Sequence, residues 1–462
     1  MINFEQNSVP ELTIIGGGLS GCEAAWQAAK RGIHVTLYEM RPLGQTGAHK
    51  TDHLAELVCS NSLGSDLLDR PAGLILAELK MLNSLLASAA EISRVPAGHA
   101  LAVDREGFSA AVEERIASEP LIRVVRQEIT EIPINGIVII ASGPLTSEKL
   151  VASVSRLTGK ENLFFFDAIA PIVRRDSINF DKAFRASRYG KGESEEGDYI
   201  NCPLSKDEYY TFVDALKNAE RIPLKSYEQA VNEGVLAGNK AHFEGCLPVE
   251  VLADRNPEAL AFGPMRPVGL WDPRTHQRGY AVLQLRQDDF AADLFNMVGF
   301  QTNLLYPEQK RVFSMIPGLE RAEFVRYGQM HRNSYLSAPL LLNHFLQLKT
   351  DPRIFICGQL AGIEGYLGNI ASGAAAGRFA ANLLQNKPLQ PFPAETMIGS
   401  LLNYISSADM KDFQPMKANF GILPPMEDSP RGKSERNLKY TSRALEEMKK
   451  FIGITETEAG NV

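Results

Sequence analysis

Residues 12–39 read LTIIGGGLSGCEAAWQAAKRGIHVTLYE, and this stretch decides the fold. Leu12-Thr13-Ile14-Ile15 is a short apolar run of the kind that forms a buried strand. It leads directly into a turn in which Gly16, Gly18 and Gly21 satisfy G-x-G-x-x-G, with Gly17 between the first two. Ala24, Ala25, Ala28 and Ala29 then mark a small-residue helix that stops at Gly32. A second strand runs from Ile33 to Tyr38 and ends in Glu39. Strand, glycine turn, helix, strand and acid, in that order, turn a generic glycine motif into a dinucleotide fingerprint. Gly16 permits the tight turn, Gly18 lets backbone approach a pyrophosphate, and Gly21 lets the helix pack close to the strand. The free N–H groups at the helix start suit phosphate oxygens. Glu39 is placed to accept hydrogen bonds from ribose hydroxyls. A glycine-rich turn can also bind nothing, and the complete order of elements argues against that here.

Two later segments belong with this one. Ile137–Ile140 is a buried-strand run followed by Ala141-Ser142-Gly143-Pro144. Arg353 to Gln359 is another strand that exits into glycine at Gly358, followed by GIEGYLGNIASGAAAG and an Ala/Gly-rich helix. Glycines 362, 365, 368, 373 and 377 suggest backbone lying close to a ligand. Helix N–H groups there would suit the partial negative charge of a flavin pyrimidine edge. The expected cofactor contacts are therefore Gly16, Gly17, Gly18, Gly21 and Glu39 from the N-terminal part. Gly358, Gln359, Gly365, Gly368, Asn369 and Ile370 are expected from the C-terminal part.

The middle of the chain differs. From about residue 195 to 330 it is rich in Pro, Gly and aromatic residues, with short strand-like runs such as Tyr280–Leu285 and shorter helices such as Lys206–Asn218. The fold expected is α/β: a Rossmann-like FAD-binding domain split in sequence, with a smaller α+β domain inserted. The boundaries read as 1–199 and 330–452 for the split domain, 200–329 for the insertion, and 453–462 for a tail. A single fingerprint with no C-x-x-C disfavours two-nucleotide disulfide reductases and fits one resident FAD, with NAD(P)H as a transient visitor.

Composition sets the outer limits. The 462 residues are 44% apolar and 22% charged, which excludes a largely disordered chain. No run reaches the length of a membrane-spanning helix, and the first ten residues lack the charged and apolar regions of a signal peptide. Five scattered cysteines are not a disulfide framework, so a reducing cytoplasmic setting is expected, with no metal site. The formal net charge of −7 argues against a globally basic nucleic-acid binder but leaves local basic patches open.

The strings GGGLSGCEAA, YEMRP, ELVCSNSLGS, ASGPLTS, FEGCLPVE, GPMRPVGL, YGQMHRNSYL and GQLAGIEGYLGNIASG resemble the folate- and FAD-dependent tRNA (uracil-5-)-methyltransferases. These are shorter relatives of the Gid-type wobble-uridine modifying flavoproteins. The resemblance runs from about residue 11 to about 450. It implies transfer of a one-carbon unit from 5,10-methylenetetrahydrofolate to carbon 5 of uridine 54 in the tRNA T loop. In such enzymes FAD carries the methylene and supplies reducing equivalents, and NADPH or NADH regenerates the reduced flavin. Oligomeric state is left open.

That chemistry gives the cysteines a meaning. Carbon 5 of uracil becomes nucleophilic only after a soft nucleophile adds to carbon 6. Cys22, Cys202 and Cys357 read as small buried hydrophobes. Cys59 precedes the polar run Ser60-Asn61-Ser62, and Cys246 sits in the turn Gly245-Cys246-Leu247-Pro248. The resemblance implies that Cys246 and Cys59 are the catalytic pair. It suggests Cys246 as the thiolate that attacks carbon 6, and Cys59 as the partner beside the flavin, with the two roles exchangeable. Arg266, His331, Arg332 and Asn333 are candidate substrate contacts, and Tyr327, Tyr335 and Tyr366 candidate stacking groups.

Three cationic stretches could meet tRNA phosphates. They are Arg174 to Lys191; Arg266, Arg274, His276, Arg278 and Arg286; and Arg431 to Lys450. Three rival readings share these residues: a small-molecule flavin oxidoreductase, a flavoprotein acting as an RNA chaperone, and a Gid-type wobble-uridine modifier. The short C-terminal region argues against the last.

Overall fold

The two strands that flank the glycine turn are neighbours in a five-stranded parallel sheet. Its order is Ile354–Ile356, Ile137–Ile140, Glu11–Ile15, His34–Glu39 and Ile122–Arg126. Leu12 lies opposite both Val35 and Ile137, Val138 opposite Ile354, and Val35 opposite Ile122. Parallel strands covered on both faces read as continuous apolar runs, as in IVII at 137–140. The computed structural model describes residues 11–44, 46, 48–159, 163–222, 247–410 and 413–453, with backbone alone at 163–168 and 330–334.

Two glycine-bearing helices pack against each other on this sheet: the fingerprint helix Leu19–Ala29 and the long helix Tyr366–Leu384. A Cβ at Gly373 would stand 2.2 Å from the Ser20 carbonyl oxygen, and one at Gly377 would stand 2.3 Å from that of Ala24. Ser20 Oγ donates to the Asn369 carbonyl at 2.9 Å. These two glycines therefore serve close helix–helix approach, not approach to a ligand, which corrects the sequence reading of positions 373 and 377. The contact also joins the two ends of the chain into one core.

A second apolar core lies under a six-stranded antiparallel sheet. Its strand order is Phe184–Ala186, Tyr199–Leu204, Ala281–Gln287, Leu294–Met297, Ile172–Arg174 and Phe324–Arg326. The helix expected at 206–218 is observed as Lys206–Lys217. It is started by a capping box in which Ser205 and Glu208 satisfy each other's backbone N–H groups. Phe212, Phe300 and Phe313 stack in the core beneath it. Leu163–Ala168 and Met330–Tyr335, which lead into and out of this part, pair antiparallel.

The cationic helix Lys433–Ile452 returns to the first core, where Thr441 Oγ1 and Asn437 Nδ2 donate to the carbonyls of Leu68 and Asp69. Beside it, the buried Glu78 carboxylate accepts the N–H groups of Met397 and Ile398, the first two residues of helix Met397–Ser407. Burial without a cation pushes this carboxyl up to about 8, despite those two hydrogen bonds. Among the described residues, no single helix is long and apolar enough to cross a membrane.

Candidate active site

The carboxyl ends of the parallel strands open into an elongated cavity, the position where α/β sheets of this kind bind ligands. Its walls include Gly16, Gly18, Ser20, Glu39, Arg41, Val58, Ser142, Gln359, Tyr366 and Asn369. Gly16 adopts φ +108°, and a Cβ there would press on the Ala141 carbonyl at 2.6 Å, so only glycine fits. A Cβ at Gly21 would stand 1.8 Å from the Gly16 oxygen. Gly18, at the start of the fingerprint helix, has open space where its Cβ would be. A phosphate could reach the helix N–H groups there without a side chain in the way.

Glu39 is the most constrained group in the cavity. One oxygen accepts Gly17 N–H at 3.0 Å, and the other accepts the Arg41 N–H at 3.0 Å and Arg41 Nε at 2.9 Å. Burial raises its carboxyl, but the Arg41 hydrogen bond and charge outweigh burial and hold it below its ordinary value. A carboxylate has about four acceptor positions, so the oxygen that takes only Gly17 N–H keeps room for a hydroxyl. Arg41 also reaches Glu56 Oε2 at 2.9 Å and the Thr51 carbonyl at 3.2 Å. Burial and the Arg41 charge push the His49 imidazole, also on the cavity wall, down to about 4. Arg41 was not singled out from the sequence. Its signal was available in its place two residues after the acid.

The half-buried Cys59 follows the cavity-lining Val58. Tyr366 begins the long helix, and its hydroxyl oxygen accepts the N–H groups of both Cys59 and Ser60 at 2.9 Å. The Cys59 loop is thus fixed to the helix start. The other described cysteines differ. Cys22, Cys202 and Cys357 are buried, and burial pushes each thiol up, Cys357 to about 12. Cys22 Sγ donates to the Gly17 carbonyl at 3.2 Å.

Of the cofactor contacts expected from sequence, Gly16, Gly18, Glu39, Gln359 and Asn369 line the cavity. Gly17, Gly21, Gly358, Gly365, Gly368 and Ile370 stand behind it. Gly358 N–H donates to Ser372 Oγ at 2.8 Å, Gly365 caps the long helix with φ +80°, and Gly368 and Ile370 lie buried within that helix. Cys246 lies outside the described residues. His331, Arg332 and Asn333 belong to the strand Met330–Tyr335, and their side chains also lie outside the description. Arg266 is exposed and not on the cavity wall.

Two expectations about aromatic and basic groups are corrected. Tyr335 is buried and packs near Phe413, so it presents no face for a base to stack on. Arg286 is only 7% exposed, because every residue of its strand Ala281–Gln287 is covered. It is not a surface cation. Two arginines do link the first two basic stretches: Arg274 donates to the carbonyls of Phe180, Asp181 and Lys182, and Arg188 to that of Val268.

Residues 11–388 match the family model described as glucose inhibited division protein A. A methylenetetrahydrofolate--tRNA-(uracil-5-)-methyltransferase TrmFO from Desulforamulus reducens is 53% identical over 441 residues, covering 96% of this chain and 97% of its own. This chain belongs to the TrmFO family. A TrmFO from Listeria monocytogenes serotype 4b is 52% identical over 95% of this chain and 98% of its own. Among solved structures, Aquifex aeolicus GidA shares the fold with a TM-score of 0.67 at 14% identity, over 97% of this chain and 75% of that one. The TrmFO relatives match this chain nearly end to end, whereas the GidA chain extends well beyond it.

Proposed function

We propose that the protein methylates carbon 5 of uridine 54 in the tRNA T loop, with 5,10-methylenetetrahydrofolate as carbon donor, FAD as resident cofactor and NAD(P)H as reductant. The observation that carries this reading is the half-buried Cys59, fixed by its N–H to the cavity-lining Tyr366 in a chain about half identical to named TrmFO enzymes. The cavity fits FAD. Glu39 would take the ribose, the start of the fingerprint helix would take the pyrophosphate, and Gln359, Asn369 and Val58 would border the flavin ring. Bound FAD would supply the one-carbon carrier and the reducing electrons.

The protein's own residues then divide the work. Cys246 adds to carbon 6 of uracil, and Cys59, beside the cofactor, removes the carbon-5 proton or holds the transferred unit. Arg266, His331, Arg332 and Asn333 are assigned to substrate. The basic face around Arg175, Arg188 and Arg274 would meet tRNA phosphates. We take the six-stranded sheet and its helices as the inserted domain. Because Ile172–Arg174 and Phe184–Ala186 pair into that sheet, the insertion is better drawn from about Ile169 than from 200, closing near 329.

Cys246→Ala and Cys59→Ala test the assignment. Each is expected to retain bound FAD and lose 5-methyluridine formation. A Cys246→Ala protein that methylates at the wild-type rate would sink the nucleophile assignment.

A further inference from the structure

The loop carrying Cys59 is held on both sides by guanidinium groups. Arg105 Nη1 donates to the Leu57 carbonyl at 2.5 Å, and Arg326 Nη2 to that of Val58 at 2.8 Å. Arg286 Nη2 donates to Ser60 Oγ at 2.8 Å and its Nε to Asn61 Oδ1 at 2.9 Å. Three cations from residues far apart in sequence therefore touch positions within two residues of one thiol.

Their charge is not balanced. Arg105 pairs with Asp288 at 2.8 Å. The hydrogen bonds of Arg286 and Arg326 go to neutral groups, those just named and the Ala48 carbonyl, and the one Asp288 carboxylate is the acidic neighbour of all three arginines. Arg286 is 7% exposed, and Arg105 Nη2 is buried with no hydrogen-bond partner among the described residues. Burial pulls both Arg286 and Arg326 below the ordinary guanidinium range, and the neighbouring Arg105 charge adds to this. Three cations sharing one carboxylate at a largely covered site are costly to hold in a fold. A fold retains such an arrangement where an anion arrives or forms.

The site is recessed, which suits a flat anion generated in place better than a bulky phosphodiester. The proposed reaction generates one. When the cysteine thiolate adds to uracil, a sulfur–carbon 6 bond forms and the carbon 5–carbon 6 π pair moves through the ring onto oxygen 4. No proton moves and nothing is oxidised, and elimination reverses the shift. We propose that Arg105, Arg286 and Arg326 form the oxyanion site for this uracil enolate. The inference rests on the reading that the cysteine pair acts on uracil. Cations fixed in place before a charge develops need no reorganisation as it forms.

The enolate has a signature separate from methyl transfer: it takes a solvent proton at carbon 5 and can lose the original hydrogen. The test uses the FAD-loaded protein with unmodified tRNA tritiated at uracil carbon 5, without folate or NAD(P)H. Tritium release is compared for wild type, Arg286→Met, Arg286→Lys and Arg326→Met, with tRNA affinity measured by filter binding. Release is expected to fall about 100- to 1000-fold in Arg286→Met, the scale of losing one oxyanion donor. Affinity should change less than about 3-fold, and Arg286→Lys should recover part of the rate. A flavin spectrum and melting curve identify any variant that has not folded, and Arg326→Met, at a partly exposed position, is then read on the same scale. Wild-type release rates in a folded Arg286→Met or Arg326→Met protein overturn the oxyanion site alone. A wild-type protein that neither releases tritium nor methylates tRNA overturns the cysteine-addition reading beneath it.

Discussion

Replacing Arg41 with methionine should loosen the adenosine end of the cavity. The side chain of Arg41 is 3% exposed, and it bridges Glu39 and Glu56, whose side chains are 7% and 10% exposed. Removing the cation leaves two nearly buried carboxylates facing each other, held only by backbone N–H groups and the Thr51 hydroxyl. Breaking a buried pair in this way costs about 3–5 kcal/mol. Part of that cost falls on the cofactor. With Arg41 gone, the two largest causes that hold the Glu39 carboxyl down are lost and it should rise. A protonated Glu39 accepts hydrogen bonds poorly, and a hydrogen bond to a charged group is worth about 1.5–3 kcal/mol, or roughly 10- to 100-fold in FAD affinity. The sign with pH follows. Wild-type Glu39 is depressed, so it stays ionised, and FAD binding through it should persist, until the pH falls well into the acid range. In Arg41→Met the loss should begin at higher pH. Isothermal titration of the deflavinated proteins with FAD, between about pH 5 and pH 8, reads both effects. An Arg41→Met protein with FAD affinity within 2-fold of wild type, roughly, and the same pH profile would refute the reasoning.

Gly377→Ala should destabilise by about 1–3 kcal/mol through overpacking against the Ala24 backbone, read as a lower urea midpoint; an unchanged midpoint would mean the helices part freely. Glu78 is raised from an ordinary 4.5 to about 8, so the folded state holds the extra proton between those values. Its contribution to stability is complete below about pH 4.5 and is lost as pH rises through about 8, at about 1.4 kcal/mol per unit. Glu23, buried and raised to about 7, acts in the same direction. Glu78→Gln should flatten the wild-type decline in stability over that window, and an equally steep decline in the variant would contradict this.

The sequence made the glycine turn and the elements around it readable because their signal is local. Strand, turn, helix and acid fall within residues 12–39, and each glycine there has a distinct steric task visible from its spacing. The same locality misled at Gly373 and Gly377. A glycine that admits a helix backbone and one that admits a ligand look alike without the partner, and here the partner is the fingerprint helix about 350 residues earlier. Arg286 was misread for a related reason. It alternates with apolar residues in Ala281–Gln287 as a surface residue would, but both faces of that strand are covered. The arginines that surround Cys59 come from positions 105, 286 and 326, on three separate elements. No spacing rule joins them, and only the fold brings them to the same loop.

The central claim is a one-carbon transfer to tRNA, and it is tested most directly by following the carbon. The FAD-loaded protein is incubated with unmodified tRNA, methylenetetrahydrofolate labelled in the methylene, and NAD(P)H, and the tRNA is digested to nucleosides. Label in 5-methyluridine, mapped to position 54 of the T loop, is the predicted result. Rapid NAD(P)H oxidation with no label in tRNA, or label at the wobble uridine instead, would contradict it.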